Sequence, residues 1–295
     1  MVSLRSASRR GMMTNRKPFD LCWDRILRAE VHKDAAAKAW NAFIEEDPYG
    51  VEAHVDADGS GWISVRTTEP PPNSIALEIG EFLYQLRGAL DACVYETACL
   101  NGGHRPPPDE SKLEFPICDT PQSFQNGRRK IRQLTPEQQK LIEAVQPYNA
   151  PRLESADVPY NFNRGIGILN DWARKDRHRG LHVVASWASE VMPLLEVPRG
   201  THIDQITVTP SFLLRDETRV ASFKLAGWQP GMNLRANPNL YLDIAIDDAP
   251  APCHERDTLV LRLRCMVMAV SSVVNAMART VGYSLPSHSD RRTDQ

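Results

Sequence analysis

The sequence predicts a mainly α-helical fold of the α+β kind, a helical bundle with a small β-hairpin insertion and a larger β-rich insertion before the C-terminal helix. Three observations predict it. Long segments repeat apolar residues at i, i+3, i+4 and i+7, as amphipathic helices do; the clearest is Ile79, Phe82, Leu83, Leu86, Leu90, Cys93 and Val94. Residues 51–67 and a stretch after 191 instead alternate apolar and polar residues. Proline, glycine and capping residues punctuate these segments. Composition agrees: of 295 residues, 42% are apolar and 24% charged, with 35 Lys+Arg against 37 Asp+Glu for a net charge of −2. That balance excludes a disordered chain, a collagen, a disulfide miniprotein and a uniformly basic nucleic-acid coat. The length provides for a sizeable core.

Residues 1–19 read as a disordered basic tail, with Arg5, Arg9, Arg10, Arg16 and Lys17 and no acid before Asp20. They lack the apolar run of a secretory signal. A single domain is expected over 20–283. Its first helix runs from Asp20 to Glu46, marked by Leu21, Ile26, Leu27, Ala37, Trp40 and Phe43, and stops at Asp47-Pro48. The hairpin insertion, about 50–68, has Asp58-Gly59-Ser60-Gly61 between its two alternating arms, the composition of a tight turn. After the prolines at 70–72, Asn73 or Ser74 can cap the second helix, which gives way at Gly102-Gly103. Thr120-Pro121 and Thr135-Pro136 read as N-cap and first helical residue; Gln138 completes a capping box in the second. Helical spacing continues from Asn161 to about Glu190.

The larger β-rich insertion is expected over 191–250. Its strands are Ile206–Val208, Val220–Leu225 and Leu240–Ile246. The last helix runs from about Arg256 to Val281. Its apolar run, Cys265–Ala278, is shorter than the ~20 residues of a membrane span, so a core helix and no membrane are expected. Residues 284–295 read as a second disordered tail. The six cysteines form no C-x-x-C pair; reduced thiols in a cytoplasm are expected.

One segment carries chemistry: Asn170-Asp171-Trp172-Ala173-Arg174-Lys175-Asp176-Arg177-His178-Arg179-Gly180-Leu181-His182. Leu169, Trp172 and Ala173 lie on a core-facing stripe, and the same stripe then meets Asp176 and Arg177. Charges at interior positions need partners, water or a cleft. Arg87 and Asp91, at i, i+4 on the flank of the second helix, are the expected partners: Asp176 with Arg87 and Arg177 with Asp91. Three chemistries compete with a structural polar network or scaffold. His178 and His182 at i, i+4 could share a helix face and hold a metal for a hydrolase, but Arg179 stands where the zinc-protease motif has Glu. Arg174, Lys175, Arg177 and Arg179 could bind phosphate, as could Arg128, Arg129, Lys130 and Arg132. Arg177, His178 and His182 also suit metal-independent RNA cleavage. A histidine can move protons near neutral pH, and an arginine can stabilise charge developing on phosphorus. On one ideal helix Arg177 and His182 sit about 140° apart, so a break at Gly180 or a partner across a dimer is required.

The ordered motifs Leu86-Arg87-Gly88-Ala89-Leu90-Asp91, Phe115-Pro116-Ile117, Gln146-Pro147-Tyr148 and Asp176-Arg177-His178-Arg179 resemble a largely actinobacterial family of uncharacterised proteins. Its usual spellings are LRxALD, FPI, QPY and DKHR, with Lys where this chain has Arg177. Arg177, His178 and His182 also resemble the Arg-polar-spacer-His signature of HEPN domains, helical bundles of toxin and defence ribonucleases that often act as dimers. The resemblance implies an RNA-processing or RNA-binding protein, a homodimer, and no cofactor or metal. Its expected catalytic group is Arg177, His178, His182 and Asp176, with Arg87, Asp91, Asn170, Arg174 and Arg179 binding substrate.

Overall fold

A computed structural model describes residues 17–151, 161–179, 183–191, 194–209, 212–213, 217–237, 240–246 and 259–283. The two tails expected at the ends, apart from residues 17–19, lie outside the described residues. The fold is mixed α+β and mainly helical. Helix α1 (Asp20–Glu45) packs along α2 (Asn73–Gly102), with α5 (Phe162–Arg179) and α6 (Leu259–Thr280) against them. The shared core includes Trp23, Ile26, Phe82, Leu83, Leu86, Leu90, Trp172, Met266 and Val270. These are the apolar stripes of the sequence, buried against one another. α6 is the one described helix that is long and apolar enough to cross a membrane, and 61% of its most apolar window is buried, as in a core helix.

Two short helices follow α2 in the chain: α3 (Pro121–Gly127) and α4 (Pro136–Ala144). Both begin with capping boxes. Thr135 Oγ1 accepts from the Gln138 N–H at 3.3 Å, and Gln138 Oε1 accepts from the Thr135 N–H at 2.9 Å. Gln138 Nε2 also reaches Thr280 Oγ1 at 3.0 Å, tying α4 to the end of α6. Ser123 completes the box of α3, which sequence reading missed. α2 differs from expectation in one detail: its N-cap is Pro72, with no side-chain cap, so neither Asn73 nor Ser74 plays that part.

The hairpin forms as β1 (Tyr49–Val55) and β2 (Ser60–Thr67), and the later region contributes β3 (Val183–Val191), β4 (Leu194–Glu196), β5 (His202–Val208), β6 (Phe212–Leu213), β7 (Glu217–Ala226), β8 (Arg235–Asn237) and β9 (Leu240–Ile246). β2 pairs with β7, so the two insertions share one antiparallel sheet of order β1-β2-β7-β5. Its small core is Ile63, Val65, Val220, Ala221, Phe223 and Leu225. Two smaller sheets, β6-β3-β9 and β4-β8, complete the β region.

Residues 183–190 correct the expectation of a helix reaching Glu190. They belong to β3, and the β region starts near 183 rather than 191. Val183, Ala185 and Trp187 alternate while Val184 and Trp187 fit a helical stripe, β-branched and aromatic residues favour strands, and β9 supplies the pairing from Ile246↔Val183 to Leu240↔Val191.

Turn chemistry joins the hairpin to β7. Gly59 sits at φ 84°, where a Cβ would lie 2.4 Å from the Leu225 carbonyl oxygen. Asp58 accepts from the Ser60 N–H at 2.9 Å and from Lys224 Nζ at 2.8 Å. The Lys224 bond foremost, then those from Ser60, hold the Asp58 carboxyl down at about 2. Its folded value lies below the unfolded ~3.9, so its contribution is present above ~3.9 and lost as pH falls through about 2. An NMR titration of the Asp58 carboxyl should therefore show a midpoint near 2, and Lys224→Met should move it up towards the ordinary range.

Candidate functional site

A cleft of about 620 Å³ opens between α1, α2 and α5. α2 supplies one wall through a second stripe beside its apolar one: Gly80, Tyr84, Gly88, Ala92 and Tyr95, with Arg87 and Asp91 alongside. Leu21 and Arg25 enter from α1, and Ala173, Asp176 and Arg177 from α5. The interior positions that the periodicity gave to Asp176 and Arg177 thus open onto a cleft, while Leu169 and Trp172 just before them are fully buried.

The glycines allow close approach. A Cβ on Gly80 would meet Asp176 Oδ2 at 2.7 Å, and one on Gly88 would meet Arg25 Nη1 at 2.6 Å. The carboxylate of α5 and the guanidinium of α1 therefore rest directly on the α2 backbone. Arg25 Nη1 donates to the Gln85 amide oxygen at 3.2 Å, and the guanidinium lies 5.8 Å from the centre of the Tyr84 ring. Arg177 Nε donates to the Ala173 carbonyl at 3.2 Å. Neither arginine has a carboxylate partner among the described residues.

Arg87 is placed differently, and the expected cross-helix pairs do not form. Its Nη1 donates to Asp91 Oδ1 at 3.0 Å, and its Nη2 to Glu114 Oε1 at 3.0 Å and to the Phe115 carbonyl at 2.7 Å. Asp91 Oδ1 also accepts the Phe115 N–H at 2.8 Å. The reason is the loop at 113–118, which lies beside α2 with backbone groups outside any sheet; buried groups of this kind need partners. Gln146 serves the next part of the same loop. It accepts from the Cys118 N–H at 2.9 Å and donates to the Pro116 and Ile142 carbonyls at 3.0 and 2.9 Å. Three of the four motifs are therefore one clamp: LRGALD and QPY grip the backbone around FPI.

Electrostatics follow this division. Burial pushes the Glu114 carboxyl up, but the bonds and charges of Lys130, 2.6 Å away, and of Arg87 outweigh it and hold it below the ordinary range. Burial raises Asp91, against the pull of Arg87 and the Phe115 N–H. The upstream basic cluster is largely spent locally. Arg128 bonds Gln125 and Gln139, Lys130 bonds Glu114, and Arg132 bonds Asp109.

Of the remaining candidates, Arg174, Asn170 and His178 do not line the cleft. Arg174 is exposed and pairs with Asp171 at 3.2 Å. Asn170 is half-buried on α5 without lining the cleft, and His178 is exposed. Arg179 is the last residue of α5, and its side chain lies outside the described residues, as does all of His182. The expected placing of His178 and His182 on one helix face therefore falls outside the described residues. Among the described residues no three His, Cys, Asp or Glu side chains cluster as metal ligands. Sequence reading missed Arg25, Tyr84 and the two glycines; the signal for Tyr84 and the glycines was the repeat at 80, 84 and 88, one position around from the apolar stripe.

Comparison with protein-family models, curated proteins and solved structures finds no match to this chain.

Proposed function

We propose that the α1–α2–α5 cleft binds RNA and that the protein cuts it without a metal, in the manner of HEPN ribonucleases. The observation that carries this reading is Arg177. It lines a cleft large enough for a ligand, and among the described residues its guanidinium has a backbone carbonyl but no carboxylate to neutralise it. A forked, permanently charged donor in that setting suits a phosphate. In the proposed reaction the 2′-oxygen of the RNA attacks the adjacent phosphorus and the bond to the 5′-oxygen breaks. The products are a 2′,3′-cyclic phosphate and a 5′-hydroxyl. Arg177 stabilises the charge on phosphorus, His182 moves the proton between the two oxygens, and Asp176 and His178 orient the site. Arg87 and Asp91 hold the wall of the cleft in shape, and Arg174, Arg179 and Asn170 serve the approach of the strand.

The setting we propose is a cytoplasm, supported by the free thiols of Cys22, Cys93, Cys99, Cys118 and Cys265. The working form is a homodimer, which light scattering tests.

Incubation of single-stranded RNA with the protein in EDTA tests the reaction. Cyclic-phosphate ends are expected from the wild type, and their loss in His182→Ala with unchanged melting. Intact RNA with the wild type would refute cleavage. The specific competing reading is a scaffold, favoured by the clamp in which Arg87, Asp91 and Gln146 bond the backbone of the 113–118 loop; it predicts neither binding nor cutting.

A further inference from the structure

Arg25 and Tyr84 belong to no motif in the sequence, yet they complete the cleft. Arg25 rests on Gly88 and Asp176 rests on Gly80. Eight residues of helix separate these two contacts, a rise of about 12 Å. Tyr84 stands halfway between them and is 60% exposed, although a large aromatic group on a helix surface usually finds cover. The two guanidiniums that have no carboxylate among the described residues, Arg25 from α1 and Arg177 beside Asp176 on α5, thus lie towards opposite ends of the cleft, with the Tyr84 ring between them, its centre 5.8 Å from the Arg25 guanidinium.

Resting on the reading of the cleft as an RNA site, we propose that it holds one dinucleotide step of a single strand. Arg25 takes one phosphate, Arg177 takes the next, and the base between them stacks on Tyr84. Stacking on an aromatic ring tolerates any base, so sequence preference is weak. The volume of about 620 Å³ suits a unit of this size. A duplex is excluded because its bases are already stacked and cannot reach the ring. The acids Glu81 and Asp176, which also line the cleft, disfavour additional phosphates.

The test uses a fluorescent, non-cleavable 2′-O-methyl RNA tetramer, single-stranded or annealed to its complement, titrated by anisotropy at fixed salt. The single strand should bind at least tenfold more tightly than the duplex. Arg25→Gln, which keeps a hydrogen bond to Gln85 within reach, should weaken it at least tenfold. Tyr84→Ala should weaken it roughly tenfold, and Tyr84→Phe should restore it. All variants should melt with the wild type. If Arg177→Ala weakens binding but Arg25→Gln and Tyr84→Ala do not, the dinucleotide site is wrong and the RNA reading stands. Equal affinity for the duplex also overturns the dinucleotide site. If the wild type binds neither RNA, the RNA reading fails and this inference with it.

Discussion

Arg177→Ala is expected to lower RNA cleavage by roughly 10²- to 10³-fold, the loss typical of removing one donor to a developing oxyanion, with melting within about 1 °C of the wild type. The structural reason is that Arg177 does so little for the fold. Its side chain is exposed at the cleft, and its one bond among the described residues, from Nε to the Ala173 carbonyl, joins it to its own helix. Removing it strands no buried charge and leaves no cavity. Arg177→Lys should recover only part of the activity, because a point charge replaces a planar fork. Single-turnover cleavage with saturating protein, beside a melting curve for each variant, reads both quantities.

Gln146→Ala is expected to destabilise the protein by about 3 kcal/mol or more, since three bonds of a buried side chain disappear and an N–H and two carbonyls lose their partner. Gln146 is completely buried, so water cannot replace it. For a domain of this size the melting temperature should fall by roughly 6–12 °C. Gln146→Glu should fare no better, because the side chain donates to the Pro116 and Ile142 carbonyls and a carboxylate there would face two acceptors. Arg87→Ala should cost less, about 2 kcal/mol, because Asp91 and Glu114 are 38% and 44% exposed and solvent screens what is left unpaired. Two arginines lining one cleft therefore have opposite expectations: losing Arg87 affects mainly stability, and losing Arg177 mainly the ligand. A melting loss for Arg177→Ala equal to that of Arg87→Ala would place both in the scaffold.

The helices were legible because their apolar stripes are also the buried faces: Ile79, Phe82, Leu83 and Leu86 are all fully buried. Thr135 and Gln138 were legible because a capping box is local. The stretch after Arg179 was not. Val184 and Trp187 fit a helical pattern while Val183, Ala185 and Trp187 fit an alternating one, and the choice is made by β9, more than fifty residues away in the chain. The joining of β2 to β7 is equally non-local. At the site, periodicity found Asp176 and Arg177 because a charge on a core stripe is a local contradiction. It misassigned Arg87 and Asp91 because their partner is the backbone of Phe115, and a backbone group has no sequence signature. Arg25 escaped because nothing in its own helix distinguishes it from a solvated arginine; only Gly88 on the facing helix does.

The most direct measurement is the location of bound RNA. A 2′-O-methyl strand carrying 4-thiouridine, irradiated with the protein in EDTA and mapped by mass spectrometry, reports which residues touch it. The cleft account predicts crosslinks on Tyr84 and its neighbours in α2 and on the α5 segment around Arg177, all lost on Arg177→Ala. Crosslinks confined to the β1-β2-β7-β5 sheet, or none above background, would contradict it.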